Sequence, residues 1–196
     1  MMMKQWDDHI EKAYQQELNT KSDINEHLHD LYTLACDCTH VTEMGSRFGS
    51  STKAFLKAPV SLRAYDLEIH PPLMELFKIA RKVGKDVEYT RANTLDLLIE
   101  PTDMIFIDTW HSQEQLRAEL KLHGNAARKY LAFHDTHTYG VRDEQRDWAA
   151  NPNRKAIAGQ GLMSAIIDFL IQHPEWQFKM CKTNNNGLTV LERKQK

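Results

Sequence analysis

Cysteine is scarce in this chain: three in 196 residues. Cys36 and Cys38 stand only two positions apart, a poor spacing for a disulfide, and no pair of pairs suggests a structural zinc site. Reduced thiols and a cytoplasmic location are the expectation. Long apolar runs are missing as well, and none approaches the roughly 18 residues of a membrane span. Met1 to Met3 is followed by polar Lys4, Gln5, Asp7 and Asp8, unlike a signal peptide. Neither sign of charge dominates, with 25 Lys and Arg against 27 Asp and Glu. Nothing here calls for nucleic acid or a membrane as partner. Repeats, linkers and low-complexity segments are likewise absent.

What is present is enough apolar residue, 41%, to bury a sizeable core. The length suits one α/β domain, with residues 1–38 as N-terminal helices and 39–196 as the core. Trp6 to Leu18 has helical spacing, and a second helix is expected from near Ser22 to Ala35. Strands are expected at His40 to Met44, Val60 to Asp66, Asp86 to Arg91, Asp103 to Asp108 and Arg128 to His134. The fourth is a continuous apolar run, as in a central strand buried on both faces. Helices are expected from Pro71-Pro72 to a stop at Gly84, over His111 to Leu122 with Glu119 and His123 four apart, and over Gly161 to Ile171. Leu95 to Ile99 reads as a short helical piece. Tyr139 to Ala158 reads as a long loop that carries specificity, with Arg142, Arg146, Trp148, Arg154 and Lys155. Trp176 to Lys182 and Leu188 to Arg193 alternate about Asn184-Asn-Asn-Gly187, a hairpin. The pattern predicts a Rossmann-like, doubly wound, mostly parallel seven-stranded sheet. Helices lie on both faces and the C-terminal hairpin is antiparallel.

The segment Val41 to Thr52 is the chemical centre of this pattern. A short strand ends in Glu43, Gly45 and Gly49 bracket a turn, and Ser50, Ser51 and Thr52 are positioned to cap the next helix. A ligand can approach backbone N–H groups closely there, and a side chain at Gly45 would fill the space it needs. Asp66 follows at the spacing of a ribose-binding carboxylate in a βαβ unit. Arg47 breaks the Gly-x-Gly-x-x-Gly of dinucleotide sites. Ligands of open α/β sheets bind at the carboxyl ends of the strands. That edge would carry Glu43, Gly45, Asp66, Asn93, Asp108, His111, His134 and Asp135.

The order Glu43-x-Gly45-x-x-x-Gly49, Asp66, Asn93-Thr94, Phe106-Ile-Asp108 and Phe133-His-Asp135, with a closing hairpin, resembles the class I S-adenosylmethionine-dependent methyltransferases. It is most similar to their cephalosporin-hydroxylase-like, or sugar O-methyltransferase, branch. The resemblance covers roughly residues 22–193. It implies O-methylation of a small molecule or a sugar, with S-adenosylmethionine as cofactor. Glu43 and Gly45 would lie against its methionine, Asp66 would hold the ribose, and Asn93-Thr94 would border the adenine. Arg47, Gly49, Ser50, Ser51 and Asp108 complete the cofactor set. Two departures stand out. Arg47 occupies a position where many methyltransferases have glycine, and Asn125-Ala-Ala-Arg128 stands in place of a Gly-Gly pair.

Asp108, His134 and Asp135 match the positions of an acidic trio that holds Mg²⁺ in the related enzymes, with His134 replacing one acid. Mg²⁺ prefers oxygen ligands, whereas Mn²⁺ or Zn²⁺ accepts the mixed set. Asp108, His111 and His134 are the catalytic candidates. His111 is the first choice of base and His134 the second, because imidazole titrates near neutrality. A metal-dependent hydrolase and a degenerate methyltransferase fold serving as a binding protein are the alternative readings. Homo-oligomer formation is left open.

Overall fold

The computed structural model describes residues 2–144 and 161–194. Seven strands form one sheet. Five run parallel: β1 (His40–Met44), β2 (Ser61–Asp66), β3 (Val87–Arg91), β4 (Thr102–Ile107) and β5 (Ala127–His134). The hairpin of β6 (Trp176–Lys182) and β7 (Leu188–Arg193) is antiparallel, and the spatial order is β3-β2-β1-β4-β5-β7-β6. The direction of winding reverses between β1 and β4. Their carboxyl ends, Met44 and Ile107, lie side by side in the ladder and open the crevice where such sheets bind ligands.

Alternation along β4 shows how two cores are built. All six of its residues are buried. Met104 and Phe106 join one core with α1 (Met2–Asn19), α2 (Leu28–Cys36), α3 (Ser50–Lys57) and α4 (Pro71–Lys82). Ile105 and Ile107 join the other with α5 (Gln113–His123) and α6 (Leu162–Gln172). Phe55 of α3 meets Phe106 edge-on at 5.6 Å. Each such side chain removed from water contributes roughly 1.5–3 kcal/mol.

Two local readings change. Ser22 does not begin a helix: its Oγ accepts the Asn25 N–H at 3.1 Å, and a 3₁₀ turn, Asn25–His27, precedes α2. Leu95 to Ile99 is helical only at its start. Only Thr94–Asp96 forms a 3₁₀ turn, because Pro101 and the entry into β4 follow too closely for a helix to repay its nucleation. Cys36, Cys38 and Cys181 are free thiols. No helix among the described residues is long and apolar enough to cross a membrane.

Candidate active site

Gly45 leaves β1 with φ 85° and donates its N–H to the Tyr65 carbonyl at 2.8 Å. A Cβ at this position would lie 2.0 Å from the Asp108 carbonyl oxygen. Glycine is therefore required where the exits of β1 and β4 touch backbone to backbone. Arg47 (φ 46°) and Gly49 (φ 86°) complete the left-handed turns of the loop. The helix α3 starts directly after Gly49 without a side-chain cap.

The expected caps have other partners. Ser51 and Thr52 donate to the two oxygens of Glu43 at 2.5 and 2.7 Å, and Ser50 donates to Glu17 of α1 at 2.6 Å. Glu43 is fully buried beneath the loop. Burial pushes its carboxyl up to about 8, against its two hydroxyl donors and with help from the charges of Asp108 and Asp66. Asp66 also orders the loop. Its Oδ2 accepts the N–H groups of Ser46 and Arg47 at 2.9 and 2.7 Å, and its Oδ1 accepts that of Glu68 at 3.1 Å. The Arg47 guanidinium is exposed and pairs with Asp23 at 3.3 Å.

At the ends of β4 and β5 the polar groups converge. His111 Nε2 lies 3.1 Å from Asp108 and 2.9 Å from Asp135, while its Nδ1 faces Glu144 at 3.2 Å. Tyr139 stacks flat on the same ring, with 5.0 Å between centroids and 4° between planes. His134 Nδ1 faces Asp108 at 3.5 Å and Asp135 at 3.2 Å, and its Nε2 meets the carbonyls of Asp23 and Asn185. Burial lowers the proton affinity of His111, but Asp108, Asp135 and Glu144 outweigh it and raise its pKa to about 12. The same competition raises His134 to about 10. Burial pushes the carboxyls of Asp108 and Asp135 up, yet the two imidazoles hold both below the usual carboxylate range.

Asp135 reaches this cluster through a left-handed backbone, φ 59°, and its buried Oδ1 has no hydrogen-bond partner. An orphaned carboxylate oxygen in an acid-rich cluster fits a cation. The donor atoms that gather within 4.8 Å are those of Asp108, His111 and Asp135. The sequence singled out His134 as the third ligand. It stands beside this group with one nitrogen committed to backbone carbonyls.

A cleft of about 600 Å³ joins the loop to this cluster. Gly45, Arg47, Asp66, Asn93, Thr94, Asp108, His111 and Asp135 all line it. Ser50 and Ser51 line a smaller neighbouring cavity of about 360 Å³ with Ser46 and Asp23. Asn93 caps its own turn, accepting the Leu95 N–H at 3.2 Å, and Thr94 gives its hydroxyl to Glu119 at 2.6 Å. Trp110 and Asn186, which the sequence did not single out, also line the cleft, and so do Tyr139 and Glu144 from the start of the long loop read as carrying specificity. Trp110, two residues beyond Asp108, was within reach of sequence reasoning. Asn186 arrives from a distant segment and carries no local signal. Of the long-loop residues, Arg142 is exposed, whereas Arg146, Trp148, Arg154 and Lys155 lie outside the described residues.

No family model matches the chain, and no curated protein matches it. Solved structures do. An O-methyltransferase from Bacillus cereus in complex with SAH is 13% identical with a TM-score of 0.60, over 97% of this chain and 91% of that one. TomG from Streptomyces achromogenes, an O-methyltransferase in complex with SAM, is 16% identical with a TM-score of 0.59, over 90% and 82%. The N-methyltransferase NodS from Bradyrhizobium japonicum with SAH is 13% identical with a TM-score of 0.57, over 94% and 98%. The fold is that of the class I methyltransferases. It serves both O- and N-methyltransferases, so the fold leaves the acceptor atom open.

Proposed function

We propose that this class I methyltransferase-fold chain is an S-adenosylmethionine-dependent methyltransferase, acting on a hydroxyl of a small molecule or a sugar. One observation carries the reading. A single cleft has the glycine loop and Asp66 at one end and the Asp108, His111 and Asp135 cluster at the other. S-adenosylmethionine, when bound, supplies an electrophilic methyl group on a sulfonium. The N–H groups of Gly45, Ser46 and Arg47 are spent on Tyr65 and Asp66, so the loop offers the cofactor its shape, and Asp66, bonded to that loop, is the carboxylate for the ribose. The carboxylates of Asp66, Asp108 and Glu144 along the cleft favour a positively charged cofactor over its neutral product.

The acceptor hydroxyl must lose its proton as the new bond forms. His111, held as an imidazolium by three carboxylates, has no lone pair to offer near neutrality, and it accepts a proton only after losing its own. With its Nε2 proton released, His111 would join Asp108 and Asp135 in holding a divalent cation, whose chemistry is to acidify a coordinated hydroxyl. Their mixed oxygen and nitrogen donors suit Mn²⁺ better than Mg²⁺. His134 orients Asp108 and Asp135 from the far side.

Thermal unfolding with S-adenosylhomocysteine tests the cofactor reading. A ligand that binds only the folded chain adds about 2.7 kcal/mol of stability at 100 times its Kd. An unchanged melting temperature at millimolar S-adenosylhomocysteine, with and without Mn²⁺, would sink the proposal.

A further inference from the structure

We propose that Glu119 is a positioning residue that sets the adenine half of the cofactor cleft; this rests on the cofactor reading above. Glu119 is fully buried on α5. Its Oε1 accepts the Thr94 hydroxyl at 2.6 Å and the Gln115 amide at 2.9 Å, and its Oε2 accepts the Thr109 hydroxyl at 2.9 Å. His123, one turn further along the helix, holds the Thr94 carbonyl at 2.8 Å through Nε2. Thr94, Thr109 and Gln115 all line the cleft.

Sheet order gives this brace its purpose. Thr94 follows β3 and Thr109 follows β4, and these strands are separated in the sheet by β2 and β1. No direct ladder joins the two loops; the sheet links their strands only through β2 and β1. One carboxylate joins them from behind, and its two oxygens set how far apart the walls stand. Burying a carboxylate on neutral donors is costly unless each oxygen is satisfied, so the geometry is well determined. A planar purine between the two loops is sensitive to that spacing, and Glu119 accepts from Thr94, Gln115 and Thr109.

The test measures S-adenosylhomocysteine and 5′-methylthioadenosine binding by calorimetry, and Mn²⁺ binding by the resonance of the free ion. E119L should weaken both nucleosides by the same factor, about tenfold or more, and leave Mn²⁺ affinity unchanged. E119Q should recover most of the loss, since its amide oxygen can accept from Thr94 while its amide N–H donates to Thr109. T94V removes one arm of the brace at equal volume and carries the same expectation should E119L not fold. Parent-like nucleoside binding in the variants overturns the proposal, as does an equal loss of Mn²⁺, which would mean general loosening. A parent chain that binds neither nucleoside overturns the cofactor reading itself and the role of Glu119 with it.

Discussion

Replacing Gly45 by alanine isolates the contact on which the cleft is built, and Gly84 provides the matched control. Both glycines have left-handed backbone, φ 85° and 82°. A Cβ at Gly84 meets nothing within 4 Å, whereas at Gly45 it lies 2.0 Å from the carbonyl oxygen and 2.7 Å from the carbonyl carbon of Asp108. Gly84→Ala therefore carries only the backbone cost of about 1–2 kcal/mol, partly offset by a stiffer unfolded chain. Gly45→Ala carries that cost and also drives Asp108 off its position. The obstacle is main chain, which cannot rotate away as a side chain could. Overpacking of this kind costs a further 1–3 kcal/mol or so. Urea unfolding should show Gly45→Ala less stable than Gly84→Ala by about that difference. At roughly 2–4 °C per kcal/mol for a chain of this size, a gap in melting temperature should accompany it. S-adenosylhomocysteine affinity should fall in Gly45→Ala alone. Equal stability and equal affinity in the two variants would refute the argument that Gly45 is fixed by contact with Asp108.

Asp66→Ala should lose about 1.5–3 kcal/mol of apo stability, because three loop N–H groups lose their acceptor. Asp66→Asn should restore part of the stability, since its one amide oxygen can accept from Ser46 and Arg47 but its NH2 cannot accept from Glu68, and should not restore the affinity for S-adenosylhomocysteine; parent-like affinity in Asp66→Asn would remove it from the ribose. Glu43, with its carboxyl raised from 4.5 to about 8, binds a proton in the folded chain that the unfolded chain releases across that window. The stability this contributes is full below pH 4.5 and lost as the pH rises through about 8. Glu43→Gln should flatten the decline in unfolding free energy over this range; an unaltered pH profile would count against a buried, proton-binding Glu43. Asp135→Asn should weaken Mn²⁺ binding at least about tenfold while sparing S-adenosylhomocysteine, read by the resonance of free Mn²⁺. Undiminished Mn²⁺ affinity would remove Asp135 from the cation site.

Periodicity and punctuation in the sequence determined the layered architecture. The apolar run from Met104 to Ile107 reads as a strand buried on both faces, and its neighbours alternate as sheet and helix around it. The asparagine turn at 184–187 fixed the hairpin, and Gly45, Asp66, Asp108 and Asp135 fall at strand ends where a doubly wound sheet binds. These signals are local, so they survive in the chain itself. Tertiary structure alone decided which groups meet. The left-handed backbone at Asp135 turns its carboxylate to His111, so the cluster closes on His111 while His134 is occupied by backbone carbonyls. Ser51 and Thr52 have the sequence of helix caps, yet burial of Glu43 beside them recruits their hydroxyls. Glu119 and His123 have the spacing of one helix face, but the turn at Thr94 that they grip lies 25 residues away from Glu119. Spacing along a chain encodes the period of one element. It does not encode which distant donor a buried carboxylate must find once it leaves water.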